Sequence, residues 1–217
     1  PEQVTESLTG IAFQDPQNDG TWVTRAEYLS GNVVAKLAAA KEAAEQEPER
    51  WAANVSELQA HQPEPITLDQ VEIGPGAPWI PQDVTREFFL NEIIDHDSRF
   101  DRGSPVCVVD PLTWSWKVQL QGATTSAQAH RRWNADVARR QPYALWEAVL
   151  NNRTVIISDK QDDGSDIVDS VATEAAHTVM EEMRDAYSEF IWAKPERVRV
   201  LTERYNAMFN TVVPRDY

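Results

Sequence analysis

The sequence has one cysteine, no long apolar run and fewer basic than acidic residues, and each shortage excludes a class of protein. A single cysteine cannot build a disulfide framework within the chain, the usual support of small secreted domains. Cys107 lies in the apolar run Val106-Cys107-Val108-Val109, where a buried, inert thiol is expected instead of a nucleophile or ligand. This suits a reducing cytoplasm and makes Asn54-Val55-Ser56 and Asn152-Arg153-Thr154 chance matches to a glycosylation pattern. No apolar run nears the roughly 18 residues that span a bilayer. The first residues, Pro1-Glu2-Gln3-Val4, lack the basic and then apolar segments of an export signal. A chain that starts at proline and stops at Val213-Pro214-Arg215-Asp216-Tyr217 reads as a segment of a longer polypeptide. Gly-x-x-x-x-Gly-Lys-Ser/Thr and Gly-x-Gly-x-x-Gly are also absent, so neither common phosphate-cradling loop is available. Gly74-Pro75-Gly76 is no substitute, because its proline has no amide hydrogen to offer a phosphate, and it reads as a turn.

The deficit of positive charge leaves a net charge of -15, which argues against a surface that wraps nucleic acid as a whole. The charge is uneven, however. From His130 to Arg153 there are five arginines (131, 132, 139, 140 and 153) against two acids, Asp136 and Glu147, so an anion-binding face is to be sought there. Against these shortages stand 41% hydrophobic residues and eight tryptophans, enough apolar and aromatic surface to drive collapse into a folded unit.

The pattern along the chain predicts an α+β fold, predominantly helical, in one compact domain with lobes. Residues 1–23 read as a peripheral arm with a short strand at Ile11-Ala12-Phe13. Residues 24–62 read as a helical hairpin. Thr24 and Glu27 form a capping-box pattern, Ser30 can cap a helix from about Gly31 to Glu45, and Pro48 opens a second helix with Trp51, Val55 and Leu58 on one face. Residues 63–160 read as a small α/β lobe with a mixed or antiparallel sheet. Its expected parts are a strand at Val71 to Ile73, a helix opened by Pro81, and strands at Val106 to Val109 and Trp114 to Leu120 joined by Asp110-Pro111-Leu112-Thr113. A helix from Pro142 to Leu150 and a strand at Val155-Ile156-Ile157 complete it. Residues 161–217 read as a long antiparallel helix pair. The first helix is capped by Ser165 or Asp166, with a stripe of Val168, Val171, Ala175, Val179, Met183, Ala186 and Phe190. The second starts at Pro195, with Val198, Leu201, Tyr205, Met208 and Phe209 inward.

Few residue groupings carry chemistry. Asp95, His96, Asp97 and Asp101 are suitable metal ligands, but polar clusters at a helix end are normally solvated and nothing fixes their geometry. Asp159 to Gly164 resembles the start of a calcium loop, yet it puts Gln161 at the third position and Ser170 where a bidentate glutamate belongs. His177, beside the long helix's apolar stripe, reads as structural, and Met180 and Met183 as packing. The best binding candidate is the set Arg131, Arg132, Trp133, Arg139 and Arg140, in which arginine forks would hold phosphate and the indole would stack a base. The other reading, favoured on residues alone, makes Trp133 core and pairs the arginines with the protein's own acids. No catalytic residue, metal site or cofactor is expected in this chain.

Several strings spread through the chain carry a resemblance. They are Glu27-Tyr28-Leu29-Ser30-Gly31-Asn32-Val33 with Lys36-Leu37, Gln62-Pro63-Glu64-Pro65 with Trp79-Ile80-Pro81, and Ala148-Val149-Leu150-Asn151-Asn152-Arg153. Phe190-Ile191-Trp192, Pro195-Glu196-Arg197 and Tyr205-Asn206-Ala207-Met208-Phe209-Asn210 follow. Together they resemble the region between the modification and motor modules of very large bacterial, phage or plasmid proteins. Those proteins join an adenine-specific DNA methyltransferase to a Swi/Snf-type superfamily-two helicase. The resemblance implies a context of DNA modification, restriction or phage defence, with methyltransferase and ATP-dependent helicase domains of the same polypeptide as partners. None of the strings is catalytic. The Asn/Asp-Pro-Pro-Tyr/Phe motif, a methyl-donor glycine loop and the motor's phosphate loop and acidic box are missing, so no active-site residue transfers. The expectation is a cytoplasmic, noncatalytic linker and DNA-handling domain that touches DNA through its arginines. The alternative is a protein–protein docking module without DNA contact.

Overall fold

The computed structural model describes residues 10–94, 107–118, 133 and 138–215. In chain order its elements are β1 (Ala12–Asp15), β2 (Thr21–Thr24), α1 (Arg25–Tyr28), β3 (Gly31–Asn32), α2 (Val33–Gln46), α3 (Pro48–Ala60) and α4 (Gln82–Phe88). Then come β4 (Cys107–Val109), β5 (Trp116–Val118), α5 (Pro142–Leu150), β6 (Ser158–Lys160), β7 (Asp166–Val168), α6 (Ser170–Trp192), α7 (Pro195–Phe209) and β8 (Val212–Val213). The fold is α+β and predominantly helical, and its strands pair only as small antiparallel two-stranded sheets. The chain divides into two units, one of residues 1–70 with 202–217 and one of residues 71–201.

In the first unit, β1 and β2 form a hairpin in the register Ala12↔Thr24 to Asp15↔Thr21. It delivers Phe13 onto Tyr28, ring centroids 5.1 Å apart, in a core with Leu29, Val33, Ala40 and Leu58. Thr24 caps α1 by accepting from the Glu27 amide, as the capping-box pattern predicts. The cap of α2 is Asn32, whose Oδ1 accepts from the Ala35 amide at 2.9 Å. Ser30, the expected cap, instead donates to the Glu27 carbonyl. The shift has a cause: Gly31 and Asn32 pair with Val213 and Val212 of β8, so the helix cannot begin before that bridge ends. Lys36 then reaches back so that its Nζ donates to the carbonyls of Glu27, Tyr28 and Ser30 at 2.8, 3.1 and 2.9 Å. The buried Asn54 of α3 donates to the Gln14 carbonyl at 2.7 Å and the Tyr28 hydroxyl at 2.9 Å, which leaves its amide satisfied inside the core. Asn206 on α7 and Asn210, the residue after the helix ends, grip the extended chain at Ile66 and Glu64.

In the second unit, α4 runs on into a π-helical turn at Phe89–Ile93 and sets Phe88 against Trp146, Tyr187 and Phe190, with centroids 4.8, 5.1 and 5.4 Å away. The buried Thr85 and Tyr187 hydroxyls meet at 3.1 Å. Strands β4 and β5 make the expected hairpin, Cys107↔Val118 to Val109↔Trp116. The open edge of β5 is covered by side chains of α5 and the residue after it: Asn151 bonds both backbone groups of Trp116, at 2.8 and 2.9 Å, and Glu147 accepts from the Val118 amide at 2.9 Å.

Helix α6 packs on α5, but its start and its buried face differ from expectation. Residues 166–168 pair with 158–160 in an exposed hairpin, so the cap is Asp169, not Ser165 or Asp166. The inward face is Ala172, Ala176, Met180, Met183, Ala186, Tyr187 and Ile191, one position on from the expected stripe through most of its length, and Val168 and Val171 are exposed. Val71 to Ile73 and Val155 to Ile157 are not strands. The latter segment is bound to α6 by side chains: the Ile157 amide donates to Thr173 Oγ1 at 3.0 Å and His177 Nε2 meets the Val155 carbonyl at 2.9 Å. On α7, Leu201 is buried as expected, whereas Met208 and Phe209 are 48% and 55% exposed.

Candidate nucleic-acid interface

Of the residues that sequence reasoning put forward, Arg131 and Arg132 lie outside the described residues, as do Asp95, His96, Asp97 and Asp101. Trp133 is fully buried and its Nε1 donates to the Glu92 carbonyl, so its indole offers no face to a base. Arg139 is committed to two carboxylates, Asp159 at 2.7 Å and Asp169 at 3.4 Å. The hydrogen bond to Asp159 is the main reason that its pKa is raised. The second oxygen of Asp169 caps α6 through the Ala172 amide at 3.0 Å, so one carboxylate ties Arg139 to the start of the long helix. Arg140 is exposed at a hollow of about 300 Å³ beside Ala144 and Ile156.

A larger concavity lies elsewhere in the second unit. It is a cleft of about 590 Å³ with one wall from Glu72 and Gly74 to Ala77 and a second from the hairpin turn Thr113-Trp114-Ser115. Its floor is the end of α5, Val149 to Arg153, and Arg184 of α6 closes it. The floor is shaped by how α5 stops. Asn152 takes φ +49° and its amide donates to the Val149 carbonyl at 3.1 Å, while the Arg153 amide donates to the Ala148 carbonyl at 2.9 Å. That bond pattern is a Schellman end with asparagine in the left-handed position usually held by glycine. It turns the chain sharply, and the exposed Arg153 that follows lines the cleft. Gly76 approaches the same helix end so closely that a Cβ on it would lie 2.0 Å from the Leu150 carbonyl oxygen.

The hairpin wall is equally specific. Trp114 has φ +52°, rare for a bulky side chain, and is 60% exposed. Its amide is held by the Asp110 carbonyl at 2.8 Å, and Asp110 Oδ1 accepts from the Leu112 amide at 2.9 Å. That backbone bond is the first cause of the lowered Asp110 pKa, and it keeps the turn's carboxylate ionised. Alternation along β5 buries Trp116 and Val118 on one face, and Trp114, which the sequence pattern puts on that same face, lies before the strand and is turned outward with its positive φ. Among the described residues no carboxylate pairs with the Arg153 or Arg184 side chain. A smaller hollow of about 220 Å³ adjoins, bounded by Asn152, Arg153 and Arg184 together with His177 and Glu181, so both arginines belong to both concavities. Arg153 belongs to the arginine-rich stretch legible in the sequence, whereas Trp114 and Arg184, which come from a turn and from an acidic helix, carry no local signal of a site.

Cys107, in β4 of the same hairpin, is buried, and desolvation pushes its thiol up to about 12, which makes it unsuited to nucleophilic work. Among the described residues no group of three or more His, Cys, Asp or Glu side chains is placed to hold a metal ion, and no helix is long and apolar enough to cross a membrane.

The described geometry is that of an α+β, predominantly helical protein with a polar cleft bearing two arginines. Residues 74–211 match the model of the family described as Domain of unknown function (DUF8437), and the chain belongs to that family. No curated protein and no solved structure matches the chain.

Proposed function

We propose that this chain is a noncatalytic linker and DNA-handling domain of a multidomain DNA methyltransferase–helicase working in DNA modification, restriction or phage defence. It requires no cofactor of its own, and its partners are the flanking methyltransferase and helicase domains together with DNA. The observation that carries this reading is the cleft, where Arg153 and Arg184 present guanidinium groups that no described carboxylate neutralises, in a chain whose net charge is -15. Guanidinium forks suit phosphate oxygens, and a local positive site is what an acidic protein needs to touch DNA at all.

The test is fluorescence anisotropy of labelled duplex and labelled single-stranded DNA, each with the whole chain over a salt series. Binding is expected to weaken steadily as salt rises, and to be lost in Arg153→Glu/Arg184→Glu. Arg139→Glu is expected to act less through DNA than through stability, since Arg139 already serves Asp159 and Asp169. Absence of binding at the lowest salt would overturn the DNA contact. The lead would then pass to the docking-module reading, which the exposed apolar side chains Ile156, Ile167, Val168 and Val171 favour.

A further inference from the structure

We infer that the cleft seats an unpaired nucleotide of single-stranded DNA, its base stacked on Trp114 and its phosphate held by Arg153 and Arg184. The inference rests on the DNA-handling reading above and narrows it to one form of DNA.

Three observations lead to it. The first is the aromatic. Tryptophan is costly to expose and costly to hold at positive φ, yet Trp114 is both, fixed by the Asp110 turn at the cleft wall. An exposed indole is a stacking surface that takes any base, but only a base already out of its duplex stack.

The second is the shape and charge of the surroundings. The two helices that bound the cleft are poor candidates for a duplex groove. Helix α5 carries no lysine or arginine, and on α6 Arg184 is accompanied by Glu174, Glu181, Glu182, Asp185 and Glu189. A helix so acidic is repelled by the closely spaced phosphates of a duplex, whereas a pair of arginines at the mouth of a hollow serves one or two phosphates. The acids that line the two hollows, Glu72 in the cleft and Glu181 in the adjoining one, limit the positive charge to that scale.

The third is the pair of concavities. The larger, about 590 Å³, falls within the roughly 300–1,000 Å³ range of clefts that bury small ligands. The smaller shares Asn152, Arg153 and Arg184 with it. One strand can therefore place a base in the first hollow and continue into the second, with the linking phosphate over the shared arginines. Asn152, left-handed and exposed between them, offers an amide for a base edge.

The experiment compares a labelled single-stranded oligothymidylate, the same strand with abasic sites, and a duplex, all with the whole chain at low salt. Wild-type protein is expected to prefer the intact single strand. Trp114→Ala is expected to weaken that binding roughly 5- to 150-fold, as loss of one stacked base does, and Trp114→Phe to restore most of it. Duplex affinity should be unchanged in both variants. The abasic strand keeps its phosphates and loses its bases, so wild-type protein should bind it about as weakly as Trp114→Ala binds the intact strand. Equal affinity for intact and abasic strands, or no effect of Trp114→Ala, would overturn the nucleotide seat while leaving duplex binding, and so the DNA-handling reading, intact. No binding to any of the three would overturn both.

Discussion

Asn206 holds Ile66 by both of its backbone polar groups, accepting from the amide at 2.8 Å and donating to the carbonyl at 2.7 Å across 140 positions of sequence. Asn151 treats Trp116 in the same way in the other unit, and each asparagine also donates to the carbonyl four residues before it. A side-chain amide thus takes the place of a neighbouring strand, which a helix cannot otherwise provide. Each such bond is worth about 1 kcal/mol net, and an unanswered part-buried amide costs about as much again. Asn206→Ala is therefore expected to lower stability by about 2–3 kcal/mol in a urea titration, and Asn206→Asp, which keeps the acceptor and loses the donor, by less. A change within about 0.5 kcal/mol for Asn206→Ala would show that the grip contributes nothing to stability.

The strings that carry the family resemblance coincide with this kind of scaffolding. Lys36 collects three carbonyls at the end of α1, Asn32 caps α2, and Asn151, Asn206 and Asn210 clamp extended chain.

Gly76 makes a second prediction. Its φ is +80° and an added Cβ would collide with the Leu150 carbonyl oxygen at 2.0 Å, at the point where the chain passes the end of α5. Backbone cannot yield as a flexible side chain does, so Gly76→Ala combines left-handed strain with a steric shift. A loss of about 2–4 kcal/mol is expected, along with a disturbed cleft, because the Gly76 carbonyl also accepts from Trp116 Nε1. A Cβ on Gly74 would meet nothing within 4 Å, which makes that glycine the control. Gly74→Ala should stay within about 0.5 kcal/mol of wild type, and equal effects at the two glycines would refute the steric account.

Local signals sufficed where a residue's own backbone preference decides. Pro48 and Pro142 start α3 and α5, and the Asp110 turn joins β4 to β5, as the sequence suggests. They misled where a distant partner decides. The β-branched run Val155 to Ile157 has the composition of a strand, but its backbone groups are taken by Thr173 and His177 on α6. The buried stripe of α6 departs from the pattern of its most apolar residues, because alanines at 172 and 176 are buried while the more apolar Val168 and Val171 are exposed. The candidate site was the least legible. Arginine density between His130 and Arg153 is visible by counting, yet the cleft joins Trp114 of a turn to Arg184 inside an acidic helix, and no local pattern relates the two.

The buried pair Cys107 and Tyr187 gives a prediction about pH. Burial is the chief cause in both: it pushes the thiol from 9.0 up to about 12 and the phenol from 10.0 up to about 12. Both groups are neutral when protonated, so the folded state holds these protons more tightly than the unfolded chain does. Their contribution to stability is full below the unfolded values of 9.0 and 10.0, and is lost as pH rises through about 12. Urea midpoints should therefore be insensitive to these groups from neutrality to about pH 9 and fall steadily above it. Cys107→Ala removes the thiol's share, so its alkaline slope should be shallower than that of wild type. The native protein should also resist thiol reagents at about pH 8, since the thiol is buried as well as protonated. Labelling of the folded chain at the rate of free cysteine, or a stability profile flat to about pH 12, would contradict the burial on which both shifts depend.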